Sequence, residues 1–278
     1  MALKTPVLDR IPTYPGRVKL TPVSGQSNTF DMERADQPVV VGTPLNKKLL
    51  DQKAYTLTED VTVYVNGSSG SDDGDGTESS PYATIQAAID SIPKCLGGFV
   101  ATVDIAAGSY SERVRIEGFY GGRLVVGQTD RATTTRGISI FSSSTVVLQI
   151  SNITAEGGDG STLLYIGYGS NVVVNRHITL ACEGAVGIGV GVEQGSTLST
   201  GTVSVNVNGS TEAAILAKGG SMVSLNIAGG SSNTGVGLKA EAGSIIAYTT
   251  RSMSATTAQL TVNGGRIYSG AQTAIPNY

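Results

Sequence analysis

Residues 169–174 read GSNVVV, and similar phrases return as GSTLS at 195–199, GSMVSL at 220–225 and GSII at 243–246. Each phrase joins a small turn residue to a short run rich in β-branched or aliphatic residues. Counting the weaker copies as well, the eight starts are Gly98, Gly122, Ser144, Ser170, Ser196, Ser221, Ser244 and Gly265. They lie 24, 22, 26, 26, 25, 23 and 21 residues apart, so the chain contains a repeat of 21–26 residues.

The content of the repeat indicates its structure. Several repeats hold one or two further apolar runs, such as those at 178–180 and 186–192, and none shows a helical period. A period in the twenties with two or three short strands is typical of a parallel β-solenoid. In such a fold each turn pairs with its neighbours at about 4.8 Å, and alternate side chains fill a shared interior. We therefore predict an all-β fold in which residues 97–278 form a parallel β-helix of about eight coils, with glycines and asparagines at the tight corners.

Residues 56–96 differ from the repeats and form their own segment. Residues 61–65 alternate like a strand, and an Asp/Gly-rich loop follows at 70–77. One helical face is then formed by Ile85, Ala88, Ile89 and Ile92, before Pro93 ends the helix. Because so short an amphipathic helix needs an apolar surface to cover, we expect it to cap the first coil.

Residues 1–55 contain six of the nine prolines and carry eight Lys/Arg against five Asp/Glu. Each proline removes a backbone donor and favours an extended residue before it. We predict an extended, largely irregular arm that becomes ordered on a partner, with one short helix over 44–53.

The composition excludes several classes of protein. A net charge of −3 with 40% apolar residues is not that of a disordered chain, and no apolar run is long enough to span a membrane. One histidine, His177, and two cysteines, Cys95 and Cys182, do not suit a zinc site. No glycine-rich phosphate loop and no basic stripe is present. We expect no cofactor, no metal, no nucleic-acid partner and no membrane insertion.

Several stretches resemble a known family. The phrase VYVNG at 63–67, the Asp/Gly-rich loop and PYATIQAAI at 81–89 are similar to pectate-lyase-like right-handed β-helix proteins, especially bacteriophage tailspikes and tail fibres. The segments NTFDMERAD at 28–36 and VGTPLNK at 41–47 resemble N-terminal parts of phage fibre proteins.

The resemblance implies a right-handed helix, a homotrimer and an arm that docks onto the virion through Phe30, Arg34, Pro44 and Leu45. It also implies a structural fibre or spike subunit that is assembled in the host cytoplasm and becomes part of the virion. The expected partners are other copies of the chain, other phage structural proteins through residues 1–55, and a host-surface glycan or protein through the β-helix.

Two alternatives remain open, and the first is a polysaccharide depolymerase, either a glycosidase or a lyase. Glycoside hydrolysis needs two carboxyl groups about 5–9.5 Å apart. Counted from their coil starts, Glu156 and Glu183 fall in one column on adjacent coils, with Asp159 nearby. Their glycine-rich surroundings are typical of solvated corners, so we favour a non-enzymatic protein.

The second alternative is a bacterial surface adhesin. Tyrosines that could stack on sugar rings occur at 110, 120, 165, 168 and 268.

Overall fold

The computed structural model describes residues 11–12, 18–22, 30–34, 38–40, 56–155, 162–182 and 186–270. The chain divides into a unit of residues Leu3–Ala54 and a larger unit that contains Tyr55–Tyr278.

The smaller unit contains four short strands: β1 (Ile11–Pro12), β2 (Val18–Pro22), β3 (Phe30–Arg34) and β4 (Pro38–Val40). Strand β1 pairs antiparallel with β4, and β2 pairs antiparallel with β3. The paired strands were not expected of an irregular arm. The helix predicted over 44–53 lies outside the described residues.

The larger unit contains one helix within its described part, α1 (Ile85–Ser91). Its strands are β5 (Val61–Val65), β6 (Val100–Ile105), β7 (Gly108–Glu117), β8 (Arg123–Gly127), β9 (Thr133–Phe141), β10 (Val146–Gln149), β11 (Asn152–Thr154), β12 (Leu164–Gly167), β13 (Asn171–Val174), β14 (Ile178–Ala181), β15 (Ile188–Glu193), β16 (Thr197–Thr200), β17 (Ser204–Asn208), β18 (Ala213–Lys218), β19 (Met222–Gly229), β20 (Asn233–Glu241), β21 (Ile245–Arg251), β22 (Ala255–Val262) and β23 (Arg266–Ser269).

These strands stack in three parallel columns, which we call sides A, B and C. Side A consists of β5, β6, β8, β10, β13, β16, the start of β19, β21 and β23. Side B consists of the starts of β7 and β9, then β11, β14, β17, the end of β19 and the end of β21. Side C consists of the ends of β7 and β9, then β12, β15, β18, β20 and β22.

The columns form seven complete turns of a β-solenoid. The turns are β6–β7, β8–β9, β10–β12, β13–β15, β16–β18, β19–β20 and β21–β22, numbered 1 to 7. The predicted parallel β-solenoid is therefore confirmed. Each of the eight predicted starts lies just before a strand of side A, but the eighth start leads only into β23, so the described residues complete seven turns.

The interior is a set of aliphatic stacks. On side A, six residues from consecutive turns are aligned in register and at most 1% exposed: Leu124, Val146, Val172, Leu198, Val223 and Ile246. Burying one such side chain contributes about 1.5–3 kcal/mol. On side C the aliphatic stack does not continue into turn 7, because the buried Leu238 of turn 6 is paired there with Gln259, which is polar and exposed.

The corner between sides C and A repeats one tight turn. Two consecutive residues have positive φ in Tyr168-Gly169, Gln194-Gly195, Gly219-Gly220, Ala242-Gly243 and Asn263-Gly264. Two such residues define a type I′ turn, which favours glycine because it lacks a Cβ. Successive corners are hydrogen bonded, as where Gly195 N donates to Gly219 O at 3.0 Å. The glycines predicted at these corners and the asparagine at 263 are confirmed, whereas Tyr168, Gln194 and Ala242 were not anticipated.

The helix α1 covers the first turns. Thr84 is its N-cap and accepts from Ala87 N at 3.2 Å, while Ile85 and Ile89 are fully buried. The carboxylate of Glu112 on β7 accepts from Ile85 N at 2.7 Å. The predicted capping helix and its buried face are confirmed.

Candidate functional site

The structure leaves most of the predicted site residues untested. Glu156, Asp159 and Glu183 lie in segments 156–161 and 183–185, outside the described residues, as do Pro44 and Leu45. Phe30 and Arg34 are the first and last residues of β3. Their assignments as catalytic or virion-attachment residues remain predictions.

Side C carries a cluster of three aromatic rings in turns 2 and 3, which we call the aromatic patch. The ring centroid of Phe141 lies 5.4 Å from that of Tyr165 and 5.9 Å from that of Tyr168. The guanidinium of Arg115 on turn 1 lies 4.3 Å from the centroid of Phe141. Tyr168 is 57% exposed, so the patch faces solvent.

The register of the solenoid assembles this patch. Strand β12 pairs with β9 so that Gly167 is opposite Phe141. A Cβ on Gly167 would come within 2.6 Å of the Tyr165 ring, so the absence of a side chain lets that ring lie over the strand. Tyr168 follows as the first positive-φ residue of the corner, with φ 57°, and projects from it. The positions of the three rings are therefore set by the register of β9 and β12 and by the tight corner after β12.

Charged groups surround the rings. Arg115 Nε donates to Glu117 Oε2 at 2.8 Å, and this bond lowers the pKa of Glu117. Partial burial, with a smaller contribution from the charge of Glu193, raises the pKa of Tyr165, so its hydroxyl is neutral at pH 7. The patch thus offers one exposed and two half-buried rings beside tyrosine hydroxyls and charged groups. Such a combination can stack on the C–H face of a sugar ring and bond to its hydroxyls.

A second surface feature is a shallow groove of about 420 Å³ on the outer face of side A. Its floor includes three outward-facing, half-buried valines aligned on adjacent strands, Val125, Val147 and Val173. The other lining residues are Arg123, Thr145, Gln149 and Asn175. We call this feature the valine groove.

The single histidine has a structural partner. Nδ1 of His177 lies 2.8 Å from Ser204 Oγ, and the same nitrogen accepts from Ser204 N at 3.1 Å. Because Nδ1 of His177 accepts a hydrogen bond from the backbone N–H of Ser204, the imidazole links the connection between sides A and B in turn 4 to β17 of turn 5. Within the described ranges, no three His, Cys, Asp or Glu side chains are grouped so that they could hold a metal ion.

Comparisons of the chain with protein-family models, with curated proteins and with solved structures found no match. Among the residues that the structure describes, no helix has the length and apolar character needed to cross a membrane.

Sequence reasoning found only part of the aromatic patch. Tyr165 and Tyr168 were among the tyrosines considered for sugar stacking, whereas Phe141 and Arg115 were not. Aligning turns 2 and 3 by their starts places Phe141 opposite Leu163, four residues before its observed partner Gly167, so the repeat did not give this register.

Proposed function

We propose that this chain is a structural subunit of a phage tail fibre or tailspike that adheres to the host surface through the aromatic patch. The observation that carries the proposal is the Phe141–Tyr165–Tyr168 cluster, in which Tyr168 is exposed and the other two rings are half-buried, on an otherwise regular wall. Residues 1–55 attach the subunit to other structural proteins of the particle. The separate N-terminal unit, Leu3–Ala54, supports this division of roles.

The physical case for adhesion is that the site is preorganised. Phe141 and Tyr165 stand on paired strands, Tyr168 stands on the tight corner that follows, and Gly167 leaves space for Tyr165, so little conformational entropy is lost when a ligand binds. A patch of three rings alone binds weakly. A homotrimer displays three patches, and simultaneous engagement raises the apparent affinity by about 10²–10⁴-fold where the geometry allows it. The ligand class that fits is a surface glycan, whose sugar rings present both C–H faces and hydroxyls.

The test is retention of the purified full chain on a panel of bacterial cell envelopes and on the surface polysaccharides isolated from them. The wild type is expected to be retained by at least one envelope of the panel. Tyr168→Ala removes one ring from an exposed position and is expected to weaken that retention about tenfold or more. Tyr120→Ala is a matched control, because Tyr120 is also 57% exposed but lies outside the patch.

Two outcomes would overturn the proposal. Equal retention of the two variants would show that the aromatic patch does not bind. Release of reducing ends from a polysaccharide, abolished by Glu156→Gln or Glu183→Gln, would identify a depolymerase instead.

A further inference from the structure

In turns 3–6 the charged residues of the strands are segregated to one side of the solenoid. Turns 3–6 contain the eleven strands β10 to β20, all of them described, and only four charged residues occur in these strands. They are Glu193, Lys218, Lys239 and Glu241. All four belong to strands of side C, so sides A and B of these turns are uncharged.

The uncharged side A has the composition of an interface. The valine groove places apolar side chains at its centre, and its polar border consists of Thr145, Gln149 and Asn175 together with one charged residue, Arg123 of turn 2. Protein–protein interfaces likewise have an apolar core that is depleted of charge, with a polar rim.

Side B is polar but equally free of charge in turns 3–6. Its outward residues include Asn152, Thr179 and Asn206, aligned in register on consecutive turns. The connection between sides A and B in turn 4 contains Arg176, whose guanidinium donates to the carbonyl of Gln128 at 2.5 Å and to that of Arg131. The guanidinium of Arg176 therefore bonds to carbonyl groups of the same chain.

We propose that sides A and B are the surfaces through which copies of this chain associate, leaving side C exposed. The inference deepens the proposed function and rests on its homo-oligomeric subunit. Side C carries the aromatic patch as well as the charges, so this arrangement keeps the adhesive site accessible.

Charge and area both favour a second copy as the occupant. A charged partner would lose its hydration against an uncharged wall without gaining an opposite charge. Seven turns make a wall about 34 Å high, and four residues per strand make it about 13 Å wide, giving about 450 Å². One contact of side A with side B therefore buries about 450 Å² on each partner, less than the about 800 Å² of a standard interface, so a copy reaches that area only by making two such contacts, one with each side. Side A of one copy against side B of the next gives a head-to-tail contact that can close into a ring.

The test is sedimentation velocity of the full chain and of variants that place a negative charge on each side. Val147→Glu and Ser199→Glu alter outward, half-buried positions of side A, and Thr179→Glu alters side B. Ser139→Glu is the control, because Ser139 is an outward, half-buried residue of side C. We expect the wild type and Ser139→Glu to be oligomers, and the side A and side B variants to dissociate at least tenfold more readily.

Circular dichroism and the melting temperature of each dissociated monomer report whether it is folded. Ser199→Glu replaces a small polar side chain and so tests side A without removing a valine. Two results would overturn the inference. If the side A and side B variants form the same oligomer as the wild type, or if Ser139→Glu dissociates it, the interface lies elsewhere. The proposed function would still stand in that case. A wild type that is monomeric at every concentration would overturn both this inference and the homotrimer, whereas adhesion is tested separately by Tyr168→Ala.

Discussion

Ser170 shows how one small side chain joins three successive turns. It follows the corner of turn 3 and is fully buried. Its N–H donates to Ser196 Oγ at 3.2 Å, and its own Oγ accepts from Ser143 N at 3.2 Å and donates to Gly167 O at 2.6 Å. The same contact recurs where Ser221 N donates to Ser244 Oγ at 3.0 Å. A ladder of buried serines therefore satisfies amides that the strands leave unpaired.

Ser170→Ala is expected to lower the free energy of unfolding by about 1–3 kcal/mol, because it leaves buried polar groups without a partner. Ser224→Ala is the control, since Ser224 is an exposed residue of side A, and a change within about 0.5 kcal/mol is expected there. Chemical denaturation followed by circular dichroism measures both. If the two substitutions lower the free energy of unfolding equally, the hydrogen bonds of the buried serines do not stabilise the fold as described.

The two cysteines differ in their surroundings. Cys182 is completely buried, and burial raises the pKa of its thiol to about 11. Cys95 is half-buried, and a hydrogen bond with Thr56 lowers the pKa of its thiol.

A thiol reagent at pH 8 is therefore expected to modify Cys95 in the folded protein and to reach Cys182 only after unfolding, because the thiolate is the reactive form. Mass spectrometry of the labelled peptides gives the result. Labelling of both thiols at similar rates in the native protein would show that Cys182 is not in the interior.

At the scale of single elements, the attachment of α1 depends on Glu112. Its carboxylate accepts from Ile85 N at 2.7 Å and from Gln86 N at 3.0 Å, at the positive end of the helix dipole. Burial nevertheless dominates and raises the pKa of Glu112 above its ordinary value. The folded state thus binds this proton more tightly than the unfolded state, so the group's contribution to stability falls as the pH rises through its raised pKa.

Glu112→Gln is expected to change the free energy of unfolding by less than about 1 kcal/mol at pH 4, because the protonated carboxyl group, like the amide, offers one carbonyl acceptor to the two N–H groups. Between pH 4 and pH 7 the wild type is expected to lose stability relative to this variant, since Glu112 ionises and glutamine does not. Glu117→Gln is the control with the opposite trend, because Arg115 lowers the pKa of Glu117 and its contribution is present only above its unfolded pKa. Unfolding curves of the wild type and both variants between pH 4 and pH 7 measure these differences in stability. If the differences from wild type change in the same direction with pH for both variants, the assigned pKa shifts are contradicted.

The elements show what sequence patterns could and could not predict. Starts such as Ser170 and Ser196 were found because a turn residue followed by alternating apolar residues is a local signal. The positive φ of Tyr168 and Gln194 was not, because neither residue type marks a left-handed conformation; the stacked corners impose it. The aromatic patch was only partly predicted, because Phe141 meets Tyr165 through the register of turns 2 and 3, which a single repeat does not reveal.

At the scale of the whole molecule, the solenoid is a one-dimensional stack whose stability depends on neighbouring turns. The central strands β15 and β18 pair with neighbours above and below, and their inner residues are buried. Strand β22 pairs with β20, and its inner positions include the exposed Gln259 and Thr261.

Native-state hydrogen exchange is therefore expected to be slowest in β15 and β18, and about a hundredfold or more faster in β22, because turns at the end of a stack open locally. Exchange monitored by mass spectrometry on peptides from each turn measures the gradient. Uniform protection from turn 1 to turn 7 would contradict a stack of this kind.

The central proposal is that the chain is a particle-bound fibre or spike whose solenoid faces the host. The most direct test is electron cryomicroscopy of purified phage particles produced by the genome that encodes the chain, with a gold label attached at Tyr278. The account predicts that the particle contains the chain and that the label is accessible on the outside of the particle. Particles that lack the chain, or a label buried inside the particle, would contradict it.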